Sequence, residues 1–128
     1  MIWFMPKTIH EIIADNVKRL MGYHNDMTQI LLAKKTGISQ RTISNVINPG
    51  SVGSITTETI EKLANFFDLE PYHLMIKDLP IEELLSKRIE KLIECYSQST
   101  PEGRENIKRI AENEVRYREY QQEKALRN

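Results

Sequence analysis

The residues of this chain best suited to chemistry are arrayed for recognition, not for catalysis. Gln40, Arg41, Ser44 and Asn45 stand at one-, three- and four-residue steps within QRTISNVIN. On a helix that spacing gathers side chains on one face and leaves Ile43, Val46 and Ile47 to form an inward stripe. The outward set fits base edges. Gln and Asn can each engage adenine through two hydrogen bonds, Arg can engage guanine O6 and N7, and Ser suits several bases. An ordinary solvent face would be dominated by Lys and Glu. Each good bidentate pair discriminates between bases by roughly 1–3 kcal/mol.

Such a face needs a helix held rigidly, and the preceding residues supply the means. Thr28 is a good N-cap for a helix that runs to about Thr36, because its hydroxyl accepts from an orphan backbone N–H. Gly37 ends that helix in a left-handed conformation. Ile38 points inward from the turn, and Ser39 caps a second helix that begins at Gln40. Ala33 is small enough to let the two helices cross closely. The product is a pair of short helices shaped to push the second into a major groove.

These residues carry a family resemblance. TQ-x-x-LAKKTGIS-Q-x-x-IS resembles the helix-turn-helix of lambda-repressor-like, Cro/CI-type regulators from phage and bacteria, over about residues 9 to 77. The resemblance implies an all-α fold with a five-helix DNA-binding domain. It gives Gln29 a bracing role on the DNA backbone and base reading to Gln40, Arg41, Ser44 and Asn45. Ser39 and Thr42 would lie near phosphates, joined by Thr28 and by Asn48 at the end of the recognition helix. Two departures stand out. GYHNDM, before Thr28, is one residue longer than usual, and Leu31 and Ile47 replace acidic residues common in the family. With no basic residue near Gly22, the buried acid–arginine pair is absent as a pair. Replacing both partners by apolar groups avoids a lone buried charge.

The surrounding pattern predicts seven helices and no strand. The first covers Thr8–Tyr23, with Ile9, Ile12, Ile13, Val17, Leu20 and Met21 as its buried stripe. NPGSVGSIT is a loop, whose Asn48, Gly50 and Ser51 could offer backbone groups to phosphates. Thr56 or Thr57 caps a fourth helix bearing Ile60, Leu63, Ala64 and Phe67. Pro71 opens a short fifth helix, with Leu69, Tyr72, Leu74 and Met75. Residues 1–79 thus form the DNA-binding domain. Residues 80–128 form a C-terminal helical hairpin for oligomerisation. Its first helix, Ile81 to about Tyr96, sets Ile81, Leu85, Ile89, Leu92 and Tyr96 along a narrow coiled-coil-like seam. Its second, capped by Thr100 with Pro101 in its first position, offers Ile107 and Ile110, then Ala111, Val115, Tyr117 and Tyr120 before fading into QQEKALRN. Cys95, beside the seam, reads as a small buried hydrophobe.

Charge agrees with this division. Residues 1–50 hold six basic and three acidic side chains, a net of +3, whereas 51–80 are net −3 and 81–128 neutral. The positive excess therefore falls where phosphates would be met. A single cysteine excludes an internal disulfide framework or a multi-thiolate zinc site. The three histidines show no ligand spacing, so no metal and no cofactor is expected. No run approaches the ~20 apolar residues of a membrane span. The apolar opening MIWFM, interrupted by Pro6, reads as an arm packed on the domain and not as a signal peptide, which points to the cytoplasm.

No nucleophile–base pair or phosphate-cradling glycine loop is present, so an enzyme is not expected. The tail is too short and too helical for the self-cleaving peptidase of larger repressors. The reading is a sequence-specific regulator, a repressor of phage or prophage type, on a palindromic double-stranded DNA operator. It would bind as a homodimer or higher homo-oligomer, with two half-sites about 34 Å apart on one face of the duplex. An antirepressor protein could release it. The alternatives are an antitoxin whose C-terminal helices grip a toxin protein, and a helical adaptor that no longer binds DNA.

Overall fold

The computed structural model describes residues 6–51 and 53–127. The MIWFM arm lies outside them. Among the described residues all regular structure is helical: α1 (Ile9–Tyr23), α2 (Gln29–Thr36), α3 (Gln40–Ile47), α4 (Thr57–Phe66), a 3-10 helix (Pro71–Met75), α5 (Ile81–Ser86), α6 (Arg88–Gln98) and α7 (Pro101–Arg127). The chain divides between Leu85 and Ser86 into two compact units.

In the first unit, α1 to α4 each begin at a hydroxyl cap. Thr8, Thr28, Ser39 and Thr56 accept from the backbone N–H three residues on. Thr8 and Glu11 complete a reciprocal capping box. Such caps are worth about 1 kcal/mol each, which matters most for α2 and α3, at eight residues each. Helices this short are not stable alone in water and depend on packing.

That packing is one apolar core. Ile13, Val17 and Leu20 of α1 meet Leu32, Ile43, Val46, Leu63 and Leu74, all at most 1 % exposed. Ile9, expected in the buried stripe, is 58 % exposed. It stands at the first position of α1, before the helix reaches the core. The fifth element is a 3-10 helix, in which His73 Nδ1 accepts from the Glu70 backbone N–H at 2.9 Å. Asn16, 2 % exposed, fastens the segment after it to α1. Its Nδ2 donates to the Leu74 carbonyl at 2.8 Å and to the Ile76 carbonyl at 3.0 Å. Arg19 donates to Asn16 Oδ1 and to the Leu79 carbonyl. At the edge, Lys7 Nζ donates to Asp15 at 2.9 Å. That hydrogen bond, and then the Asp15 charge, hold the Lys7 ammonium above its ordinary range.

The expected helix from Ile81 to Tyr96 is two helices. Lys87 takes a left-handed conformation (φ 63°) between α5 and α6. The break has a packing reason. Leu84, fully buried, belongs to the first core, and Ile81 and Leu85 pack against it. Leu85 therefore leaves the expected oligomerisation seam.

The second unit is a pair of helices with no buried residue in α6 or α7. Thr100 Oγ1 accepts from the Gly103 N–H at 3.0 Å and starts α7. Arg104 ties the pair together. Its Nε donates to the Tyr96 carbonyl at 3.1 Å and its Nη2 to the Ser97 carbonyl at 2.9 Å. Its guanidinium carbon lies 5.8 Å from the Tyr96 ring centre. Helix α7 is longer than expected and stays helical to Arg127. Cys95, expected to be buried, is exposed in the chain.

Candidate nucleic-acid interface

The interface is built on α2 and α3. Gly37 sits at φ 75°, a backbone conformation suited to glycine, and its N–H closes α2 on the Ala33 carbonyl at 2.9 Å. Ile38, 7 % exposed, plugs the turn into the core. Ser39 then caps α3 by accepting from the Thr42 N–H at 3.1 Å, while its hydroxyl donates to Thr42 Oγ1 at 2.8 Å. Ile43, Val46 and Ile47 fix the inner face of α3 in the core.

The opposite face is where the sequence placed it. Gln40 and Arg41 are exposed, and Ser44 and Asn45 half-buried. Gln40 and Arg41 carry no side-chain hydrogen bond to other described residues, so their donors and acceptors are available. Thr28 is exposed at the start of α2, its hydroxyl accepting from the Leu31 N–H at 3.2 Å, and Gln29 follows it half-buried. Ser39 is exposed and Thr42 half-buried. Asn48 is exposed, but its Nδ2 turns back on α3, 2.7 Å from the Ser44 carbonyl and 3.2 Å from Ser44 Oγ. It serves first as a C-terminal cap and would have to release Ser44 to reach a phosphate.

Two features of the setting were not read from motif spacing. Between Asp26 and Glu58 the chain has no carboxylate, while Lys34, Lys35 and Arg41 fall inside that interval. An approaching phosphate therefore meets positive charge from α2 and α3 and no acidic side chain from either. The loop after α3 passes close to it, so a Cβ at Gly53 (φ 134°) would lie 3.5 Å from Asn45 Nδ2. That distance is an ordinary contact, so it is the backbone φ and not crowding by Asn45 that calls for glycine there.

Residues 17–74 match the family described as helix-turn-helix. The chain carries a helix-turn-helix domain. The match spans α2, Gly37 and α3 together with most of the core that holds them. No curated protein matches the chain, and no solved structure does. The helix-turn-helix domain is a DNA-binding module without catalytic machinery. Among the described residues no group of His, Cys, Asp or Glu could hold a metal ion, and no helix is long and apolar enough to cross a membrane.

The sequence reading missed His10. Its Nε2 lies 2.8 Å from the Asn45 carbonyl and 3.2 Å from the Val46 carbonyl, at the end of α3. A lone histidine on a helix gives no signal of such a contact. The partners are backbone atoms 35 and 36 residues away.

Proposed function

We propose that the helix-turn-helix domain reads specific double-stranded DNA, inserting α3 into the major groove as a transcriptional repressor of phage or prophage type. The observation that carries this is the division of α3. One face is locked into the core by Ile43, Val46 and Ile47, and the other presents Gln40, Arg41, Ser44 and Asn45 outward. Locking matters because ordering a loose helix on binding subtracts from affinity. Thr28, Gln29, Ser39 and Thr42 are suited to backbone contacts, which set register without reading sequence.

One domain of this size reads few base pairs, so binding as a homodimer to a palindromic operator completes the proposal. The second unit supports it. Leu92, Tyr96 and Ile110 are exposed, joined by Ile93 and Val115, while Ile89 and Ile107 are half-buried. An amphipathic pair that buries no residue lacks a core and needs a partner surface. A second copy is the occupant we favour. An antitoxin bound to a toxin through the same helices is the other reading that this exposed stripe supports.

The test is selection of bound duplexes from a random pool by the full chain, with the molar mass in solution measured in parallel. A shared palindromic motif and a dimeric mass are expected. Recovery of no preferred sequence would overturn the proposal. A stable complex with a second protein through α6 and α7 would favour the antitoxin.

A further inference from the structure

We propose that His10 is a positioning residue for base reading: from the first turn of α1 it holds the C-terminal end of the recognition helix and so sets the angle at which residues 40–45 meet DNA. The inference rests on the DNA-reading role proposed above and adds a residue outside the two-helix motif.

The last four carbonyls of a helix have no partner within it. In α3 these belong to Ser44, Asn45, Val46 and Ile47. The Ser44 carbonyl is met by the Asn48 backbone N–H at 3.1 Å and by Asn48 Nδ2. The Asn45 carbonyl is met by Ser51 Oγ at 3.3 Å and by His10 Nε2, and the Val46 carbonyl by His10 Nε2. Carbonyl oxygens only accept, so Nε2 must carry the proton and share it between the two carbonyls. The local contacts, from Asn48 and Ser51, come from the segment just after α3. His10 brings its donor from another helix, one anchored in the core by Ile13, Ala14 and Val17. A donor at this end also suits the partial negative charge of the helix terminus.

The contact fixes orientation more than it adds stability. The net contribution of one hydrogen bond to stability is small, and water can replace it at a part-buried site. Bidentate base contacts, however, tolerate little misplacement. Loss of His10 should therefore weaken the selected sequence more than an unrelated duplex.

The test compares the full chain with His10→Ala and His10→Gln, the glutamine amide being able to donate to the same carbonyls. Three readouts are taken: affinity for the selected duplex, affinity for an unrelated duplex, and amide hydrogen exchange of Ser44–Asn48 without DNA. For His10→Ala we expect the ratio of the two affinities to fall roughly five- to tenfold, the equivalent of one hydrogen bond. Exchange in α3 should speed up while that of α1 stays unchanged. His10→Gln should restore both. Unchanged exchange in His10→Ala, equal loss on both duplexes, or no rescue by His10→Gln would overturn the role. If the unaltered chain selects no sequence, the DNA-reading proposal fails by itself, while exchange in the free protein still decides whether His10 holds α3.

Discussion

Arg41 and Gln29 are distinguished by where they sit. Arg41 is exposed in the first turn of α3, on the face turned away from the core. Arg41→Ala should relax the preference at one base position and cost about 1–3 kcal/mol on the preferred site. Equal weakening on every duplex would make Arg41 a phosphate contact. Gln29, half-buried at the start of α2, is proposed to rest on the DNA backbone. Gln29→Ala should lower affinity broadly and leave the selected motif unchanged. Both are read by competition of single-base variants of the selected duplex. The outward set on α3 was legible because a helical period sorts eight residues into two faces. Asn16 was not. It lies in the stripe region of α1, yet its partners are carbonyls 58 and 60 residues away. Asn16→Ala leaves those carbonyls and the Arg19 guanidinium short of a partner. Unsatisfied buried groups cost about 1–3 kcal/mol each, so a total loss of about 3 kcal/mol is expected in chemical denaturation.

At the scale of elements, the caps of α2, α3 and α4 and the turn after α2 followed from local chemistry, a hydroxyl before each helix and glycine after α2, whereas Thr8, read as the first residue of the first helix, is its cap. Gly22 and Gly37 separate local preference from local need. Gly22 lies within α1, and a Cβ there meets nothing within 4 Å. Gly22→Ala should stabilise the domain, by at most about 1 kcal/mol because the site is near the helix end. Gly37 also has open space around it, but at φ 75°. Gly37→Ala forces a left-handed alanine and should destabilise by about 1–2 kcal/mol. Opposite shifts of the thermal midpoint check the pair. Matching signs would mean that the turn can relax. The break at Lys87 was illegible for a related reason. EELLSKRIEKL has no glycine or proline to announce a stop, and the interruption arises because Leu84 is engaged by a core formed of residues far earlier in the chain.

For the whole molecule, that break decides where the DNA-binding unit ends. Sequence composition changes after Leu79, but the first core closes only with α5. Leu84 is fully buried, and Ile81 and Leu85 are packed against the same core. A chain ending at Leu79 therefore loses a core leucine as well as the tail. Large-to-small changes at such sites cost about 2–5 kcal/mol, a large share of the 5–15 kcal/mol that typically stabilises a domain. A chain ending at Ser86 retains the whole core and gives up only the helices that bury no residue. It should fold with a cooperative thermal transition and remain monomeric at concentrations where the full chain is expected to dimerise. On the proposed dimer, it should also keep the same base preference while binding the palindrome weakly, since α3 and its core are intact and only the proposed pairing helices are gone. The chain ending at Leu79 should melt well below it. Comparing melting curves, molar mass and duplex affinity for the three lengths separates the two effects. If the chain ending at Ser86 still dimerises and binds as tightly as the full chain, α6 and α7 have no part in pairing, and the role proposed for their exposed stripe is overturned.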